Sequence, residues 1–465
     1  MSEERTGRIE YKWLAMMVVS IGTFMATLDA SIVNVSLPTI TSELNTTLPI
    51  AEWVVAIYLL VITGLLLTLG RLADLIGRKP IYIAGIAIFT AGSAFCGFSP
   101  AIFWLIASRG IQAIGAAMIM ANGPAIITDA FPANERGKAM GVNGMVVASG
   151  LTAGPAIGGF LVGAAGWPSI FLVNLPIGVL GVVVAQIILR GGPRRWERHF
   201  DIPGALLLLI SMSSLTLALS QGPEREWDLR IQALIGTAVI GAILFLVRER
   251  TAPHPVVDLS LFRIRLFAFA NASAFISFVA TFSVTFLMPF FLSGVLGYAP
   301  ARMGLALTAV PITIALVAPV SGSLSDRIGS RTLSSAGLLI TSIGMFMLSR
   351  LRADVPLPYV VASLVMVGLG SGIFQSPNSS AIMGSAPKSM LGVAAGMLAT
   401  MRNLGMVTGV AVSGAVYTSR LMHYRESLGP VQASVEAFHD AFLVAAAICV
   451  LGVVTSAVRG SGTTT

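Results

Sequence analysis

The chain has 465 residues, 55% of them hydrophobic and only 11% charged, with a mean hydropathy of +0.86. That balance excludes a soluble domain of this size and points to an all-α polytopic membrane protein. The net charge of +8 would suit nucleic acid only if it were gathered on one face. The start, MSEERTGRIEYKW, is charged, and the apolar run behind it is too long for a signal-peptide core and has no small-residue cleavage site. It is expected as the first spanning helix, with nothing removed. Apolar segments sufficient for one crossing each fall at 13–37, 50–70, 80–99, 101–127, 138–164, 167–189, 202–221, 231–247, 266–296, 302–324, 332–349, 356–384, 391–418 and 440–458, fourteen in all. With the N-terminus placed in the cytoplasm, inside segments hold twenty Lys and Arg and outside loops seven. The positive-inside rule thus predicts an even number of helices with both termini cytoplasmic, and assigns the basic excess to topology, with no nucleic-acid partner. The densest case is RGGPRRWERHF at 190–200, for which recognition of anionic lipid is a second reading.

Asp29 in the first crossing is the first residue that needs explanation, because a charge inside the bilayer costs at least about 2.5 kcal/mol. Arg109 in the fourth crossing is its natural partner. Counting rise per residue, Arg109 lies roughly 12 Å in from the outer end and Asp29 roughly 24 Å from the inner end of a membrane about 40 Å thick, so the two can meet. Desolvation favours a proton on the carboxyl and the guanidinium favours its charge, which makes the pair a candidate for proton coupling; a permanent structural ion pair is the alternative. Near the outer end of the second crossing stand Glu52, either a loop acid or an attractor for cations, and Trp53 and Tyr58, either interfacial anchors or cavity residues. The loop GRLADLIGRK at 70–79 has Gly70 and Gly77 for a tight turn and Asp74 to pair with Arg78 or cap a helix. Arg71 and Lys79 would anchor at the headgroups. Such a cluster is either a conformational latch or a solvated turn. In the fifth crossing Gly150, Gly154 and Gly158 share one face, which lets another helix approach closely and so could seal the inner half of a pathway. Pro155 removes a backbone bond there and is expected to bend the helix. The ninth crossing carries Phe275, Phe278, Phe282, Phe286 and Phe290 at helical spacing, a packing or lipid-facing stripe, or one suited to lipophilic cations. Gln375, Asn378, Arg402 and Asn403 are polar in apolar runs and read as cavity hydrogen-bonders or helix–helix contacts, with Arg402 bonding carbonyls or Asn403. The four histidines, His199, His254, His423 and His439, lack ligand or triad spacing, so no catalytic residue and no metal site is expected. Cys96 and Cys449 read as packing residues.

The chain repeats itself. GRLADLIGRK at 70–79 matches GSLSDRIGSR at 322–331, placing Asp326, Arg327 and Arg331 in a second latch, while Gly115, Pro132, Gly137 and Gly141 recur as Gly370, Pro387, Gly392 and Gly396. The offsets, 252 and 255 residues, exceed what six helices need because the crossings at 202–221 and 231–247 lie between the halves. The expected organisation is a tail at 1–12, a six-helix bundle at 13–190, a linker with two additional helices at 191–265, a second six-helix bundle at 266–458 and a tail at 459–465. Paired repeats are the material of alternating-access transporters.

On these motifs the sequence resembles the fourteen-spanner drug:proton antiporters of the major facilitator superfamily, the QacA/EmrB type, over about residues 12–458. LDASIVNVSLPTI is similar to the family's first-helix motif, GRLADLIGRK to its loop motif between helices 2 and 3, RGIQAIGAA to its fourth-helix motif and GLTAGPAIGG to its fifth-helix antiporter motif; GWPSIFLVNLPIG and TMRNLG match further family stretches. Ala113 departs from the usual Gly, from which slightly wider packing is expected. The resemblance implies the major facilitator fold and proton-coupled efflux of lipophilic, cationic drugs or toxic compounds from a bacterial cytoplasmic membrane. It implies no enzyme activity and no cofactor beyond the proton gradient, with protons, a small lipophilic substrate and membrane lipids as partners of a monomer. The alternative is a lipid, glycolipid or natural-product exporter of the same fold.

Overall fold

A long apolar run surrounded by lipid can keep its backbone N–H and C=O groups paired only as a helix or in a closed barrel, and in this chain the runs fold into helices. The computed structural model describes residues 10–132, 135–191, 201–222, 225–251, 259–387 and 391–459; the side chains of 67, 68, 71, 74, 75, 136–138, 141, 148, 202, 205, 259, 260, 326, 391, 392 and 395 fall outside that description. In chain order the helices are α1 (Tyr11–Glu43), α2 (Leu48–Ala51), α3 (Trp53–Ile76), α4 (Arg78–Gly97), α5 (Ile102–Ala130), α6 (Arg136–Ala165), α7 (Ser169–Leu172), α8 (Asn174–Ile188), α9 (Ile202–Gln221), α10 (Leu229–Thr251), α11 (Arg265–Phe290), α12 (Pro300–Leu307), α13 (Ala309–Ile328), α14 (Ser330–Ser349), α15 (Leu357–Ser385), α16 (Leu391–Arg425) and α17 (Pro430–Val458).

Among the described residues twelve helices are long and apolar enough to cross a membrane, against the fourteen crossings expected. The two expected crossings outside that count are α9, a helix over Ile202–Gln221 of which the described apolar stretch is Leu206–Gln221, and α16, in which Arg402 and Asn403 interrupt the apolar run.

The turn α3–α4 is made by Gly77 at φ 109°, and its repeat, between α13 and α14, by Gly329 at φ 87°. Both lie in the left-handed region that a side chain disfavours, so the duplicated glycine answers a duplicated backbone need. The packing beyond the turns is duplicated too. A Cβ on Gly115 of α5 would strike the backbone of Phe89 and Gly85 on α4, and one on Gly370 of α15 would strike Thr341 and Gly337 on α14. Ala113, where wider packing was expected, is completely buried.

Side-chain contacts tie the starting end of α1 to the α5–α6 turn, and the start of α4 to the end of α8: Lys12 pairs with Glu135 at 2.9 Å, Trp13 meets Phe131 edge-on at 5.3 Å, and Lys79 Nζ donates to the Gln186 carbonyl at 2.8 Å. Lys79 therefore caps α8, and is not simply a headgroup anchor. Between the two repeated halves, α9 packs against both α3 and α16, and α10 covers α9. Ser220 of α9 donates to the Pro49 carbonyl at 2.8 Å, and Arg248 Nε of α10 holds both oxygens of Asp201 at 3.0 and 3.1 Å.

Candidate functional site

Asp29 lies on α1 with no exposed surface, and Arg109 on α5 is 1% exposed. The two form an ion pair through Arg109 Nη1 and Asp29 Oδ2, the meeting expected from their depths. Three other helices complete the cluster. Gln112 Nε2, one turn on from Arg109, donates to Asp29 Oδ1 at 2.8 Å and lies 2.8 Å from Ser93 Oγ of α4. Asn174 of α8 donates to Asp29 Oδ1 at 3.4 Å. Arg109 has further partners of its own: Nε donates to the Val54 carbonyl of α3 at 2.9 Å and Nη1 to Gln112 Oε1 at 2.6 Å. Such a buried pair persists only when its remaining donors and acceptors are satisfied, and here five helices satisfy them. The sequence reading missed Gln112, Ser93 and Asn174. Gln112 was findable, since position i+3 from Arg109 shares its helix face.

Next to this cluster is a cavity of about 1140 Å³, lined by residues of α1, α3, α6, α11, α13 and α16 among others. Its wall is mostly apolar and includes Phe278, Phe282, Ile314 and Met406, with Asn34, Gln375, Arg402 and Asn403 as polar points. Tyr58 joins cavity and ion pair: it lines the cavity, its ring lies 4.0 Å from Arg109 Cζ, and its hydroxyl donates to the Ala26 carbonyl at 3.2 Å. At 1% exposure it is no interfacial anchor. Trp53 is half-buried and is not among the lining residues.

The α6 glycines do bring a helix close, and that helix is α1. A Cβ on Gly150 would meet Thr27, on Gly154 Ser31, and on Gly158 Ile32. The expectation that this face itself seals the pathway is corrected by the neighbouring residue: Gly159 faces Pro300 and Gly304, and Gly304 faces the Pro155 carbonyl. The seam between the halves therefore runs along α6 and α12. Pro155 sits within α6, which continues to Ala165. Lining residues towards the start of α6, Gly144, Met145 and Ser149, are exposed, whereas Pro155 is buried. The cavity thus opens at the Arg136 end of α6 and is closed at the Ala165 end.

Other expected site residues go elsewhere. Glu52, expected at an open mouth, has no exposed surface, and its carboxylate lies where a Cβ on Gly414 of α16 would go; α16 has closed over it. Phe286 is buried and packs edge-on against Phe290 at 5.7 Å, a core contact. Asn378 serves packing: its Nδ2 donates to the Ala270 carbonyl at 3.0 Å and its Oδ1 accepts from Arg459 Nη1 at 2.9 Å. Burial, and then neighbouring Arg331, push that Arg459 guanidinium down to about 10. Among the described residues Arg402 makes no hydrogen bond to a carbonyl or to Asn403, and its Nε is buried without an acceptor. In the first latch Arg78 pairs with Asp129 and donates to the Ala125 carbonyl at 2.8 Å, both on α5. Gly70 is half-buried, and Arg327 and Arg331 are exposed. The side chains of Arg71, Asp74 and Asp326 lie outside the described residues.

With this geometry in hand, comparison places the chain among known proteins. The model of the Major Facilitator Superfamily matches residues 19–248 and 270–460. The chain is 35% identical over 447 residues to the riboflavin transporter RibZ of Clostridioides difficile, covering 96% of this chain and 97% of that protein. It is 35% identical over 412 residues to the multidrug resistance protein Stp of Mycobacterium tuberculosis, covering 88% and 76%, and 31% identical over 444 residues to the multidrug transporter protein MdtP of Bacillus subtilis, covering 93% and 82%. Among solved structures, a bacterial homologue of the human lysosomal transporter Spinster, inward-facing and unoccupied, superposes with a TM-score of 0.73 at 15% identity, covering 97% of this chain and 98% of the other.

Proposed function

Because the chain belongs to the Major Facilitator Superfamily, a family of transporters and not of enzymes, we propose that it is a proton-coupled exporter of small lipophilic compounds in a bacterial cytoplasmic membrane. The observation that carries this reading is the Asp29–Arg109 pair, fully buried behind Tyr58 and beside a large apolar cavity. A structural ion pair alone is a costly way to join helices, whereas a carboxylate beside a cargo chamber is placed to exchange a proton as the surroundings change. Relatives named for multidrug resistance and for multidrug transport support export.

In this reading the chain is a fourteen-spanner of the QacA/EmrB type, a monomer in membrane lipid with both termini cytoplasmic. The halves at 13–190 and 266–458 rock about the cavity, and α9 and α10 form the additional pair. Cavity opening at the Arg136 end of α6 is then the inward-facing state. In that state Asp29 is bonded to Arg109 and Gln112, and proton entry requires the cluster to rearrange.

The test is transport in proteoliposomes under an imposed pH gradient, with a panel of anionic, neutral and cationic lipophilic dyes. Wild type should accumulate at least one dye uphill. Asp29→Asn, which mimics the protonated state, should abolish uphill movement while keeping slow downhill exchange. Uphill accumulation by Asp29→Asn at the normal rate would make the carboxylate structural and turn attention to Glu52.

A further inference from the structure

Of the described residues lining the cavity, Arg402 alone is charged. It makes no hydrogen bond or ion pair with any described residue, and its Nε is buried. Beside it on α16, Asn403 Nδ2 is buried without an acceptor, and across the cavity on α1, Asn34 Oδ1 is buried without a donor. The Asn34 amide is oriented by its own Nδ2, which donates to the Ala30 carbonyl at 3.2 Å. Three hydroxyls of the wall are engaged already: Thr27 on the Thr23 carbonyl at 2.8 Å, Ser31 on the Leu28 carbonyl at 3.2 Å and Thr285 on the Thr281 carbonyl at 3.1 Å. Thr152, Ser376 and the Gln375 amide add neutral polar points to the wall. In buried groups without a partner, what the described wall offers a cargo is therefore two adjacent donors on α16, one of them cationic, and one acceptor opposite.

The carboxylates are withheld. Asp29 and Glu52 have no exposed surface, and neither lines the cavity among the described residues. A cationic cargo would enter a chamber whose one described charge repels it. A buried guanidinium, by contrast, requires an acceptor, and planar oxyanions match its fork of N–H groups. We infer that the cavity takes lipophilic oxyanions, molecules with an apolar body and a carboxylate or other delocalised anionic oxygen group, which Arg402 and Asn403 bind while Asn34 accepts a hydrogen bond from the far side. This replaces the cationic cargo expected from the sequence, and it rests on the exporter reading for its biological meaning.

Two xanthene dyes of similar size and opposite charge test it: anionic fluorescein and cationic rhodamine 123. Their affinities for the purified full-length protein in detergent are read by fluorescence anisotropy at pH 7.5. Fluorescein should bind at least tenfold more tightly. Arg402→Gln should lower the fluorescein-to-rhodamine affinity ratio at least tenfold, while Arg402→Lys, which keeps the charge, should keep an anion preference. Melting temperatures within a few degrees of wild type show that the variants are folded; Asn403→Leu, which removes the neighbouring donor without touching the charge, gives a second route and should weaken fluorescein binding severalfold. Equal or tighter binding of rhodamine 123 to wild type, or an unchanged ratio in Arg402→Gln, overturns the assignment. Binding in detergent needs no gradient, so the two readings fail separately. Loss of gradient-driven transport with the anion preference intact removes only the exporter reading, and gradient-driven export of rhodamine 123 without anion preference removes only this one.

Discussion

The ring of Tyr58 lies 4.0 Å from the guanidinium carbon of Arg109 while Tyr58 itself lines the cavity, so a single aromatic side chain separates the cargo chamber from the buried ion pair. Its cation–π contact adds about 2 kcal/mol when desolvated, but its larger role is as a barrier to water. Tyr58→Ala should connect Asp29 to cavity water and produce a proton leak in cargo-free proteoliposomes, measured with a pH-sensitive dye. Tyr58→Phe keeps the ring and loses only the bond to the Ala26 carbonyl, worth about 1 kcal/mol, and should stay tight. An equally tight Tyr58→Ala would remove the barrier role.

Gly154 and Gly159 stand five residues apart on α6 and face different halves of the molecule. A side chain on Gly154 collides with Ser31 of α1, and one on Gly159 with Pro300 and Gly304. Overpacking within a half costs about 1–3 kcal/mol, so Gly154→Leu should lower the melting temperature by several degrees. Gly159→Leu should instead pry the α6–α12 seam open and leave stability nearly unchanged. Labelling of a Val35→Cys reporter, buried in the wall near the seam, should rise in Gly159→Leu and not in Gly154→Leu; both native cysteines are buried, so the background is low. Both variants should lose transport. The same labelling in the two would show that the faces are not distinct.

How far the sequence went depends on whether a residue's partner was local or distant. Asp29 and Arg109 could be paired from sequence because charges in apolar runs are rare and helical rise fixes their depth. The duplicated turn was legible because Gly77 and Gly329 answer the same backbone requirement. Gln112 and Asn174 escaped because a neutral amide in an apolar run does not announce which carboxylate it serves. Glu52 looked like a loop acid because nothing in its own stretch says that Gly414, more than 350 residues on, folds against it. Phe282 and Phe286 carry the same side chain one turn apart, yet one lines the cavity and the other lies in the core, a difference set by tertiary neighbours alone.

Arg78 reaches Asp129 at the end of α5, an acid the loop motif does not contain. Asp129 is 68% exposed and Arg78 30%, so the pair contributes at most about 1 kcal/mol to stability, and Asp129→Asn should scarcely change the melting temperature. If the contact instead holds one conformation, Asp129→Asn should alter cysteine accessibility along the cavity and slow cycling several-fold, as Asp74→Asn should through the motif itself. Unchanged labelling and turnover in both would leave the loop a solvated turn.

The charge of the cargo fixes which part of the proton-motive force drives it. With Asp29 as the sole proton carrier, one proton enters for each molecule exported. For a monovalent cation that exchange moves no net charge, and only the pH gradient acts. For a monoanion held by Arg402, the inward proton and the outward anion both move positive charge inward, two in total, so the potential contributes roughly 4.6 kcal/mol per 100 mV in addition to the pH gradient. In inverted vesicles loaded through the proposed inward-facing cavity, valinomycin with K⁺ collapses the potential and nigericin with K⁺ collapses the pH gradient. Uptake of a monoanionic dye should therefore fall by well over half with valinomycin and by less with nigericin, and Arg109→Ala should impair both by leaving Asp29 without its countercharge. Sensitivity to nigericin alone would show electroneutral exchange, and with it a cationic cargo, because any further proton entering against an anion would only add to the inward charge.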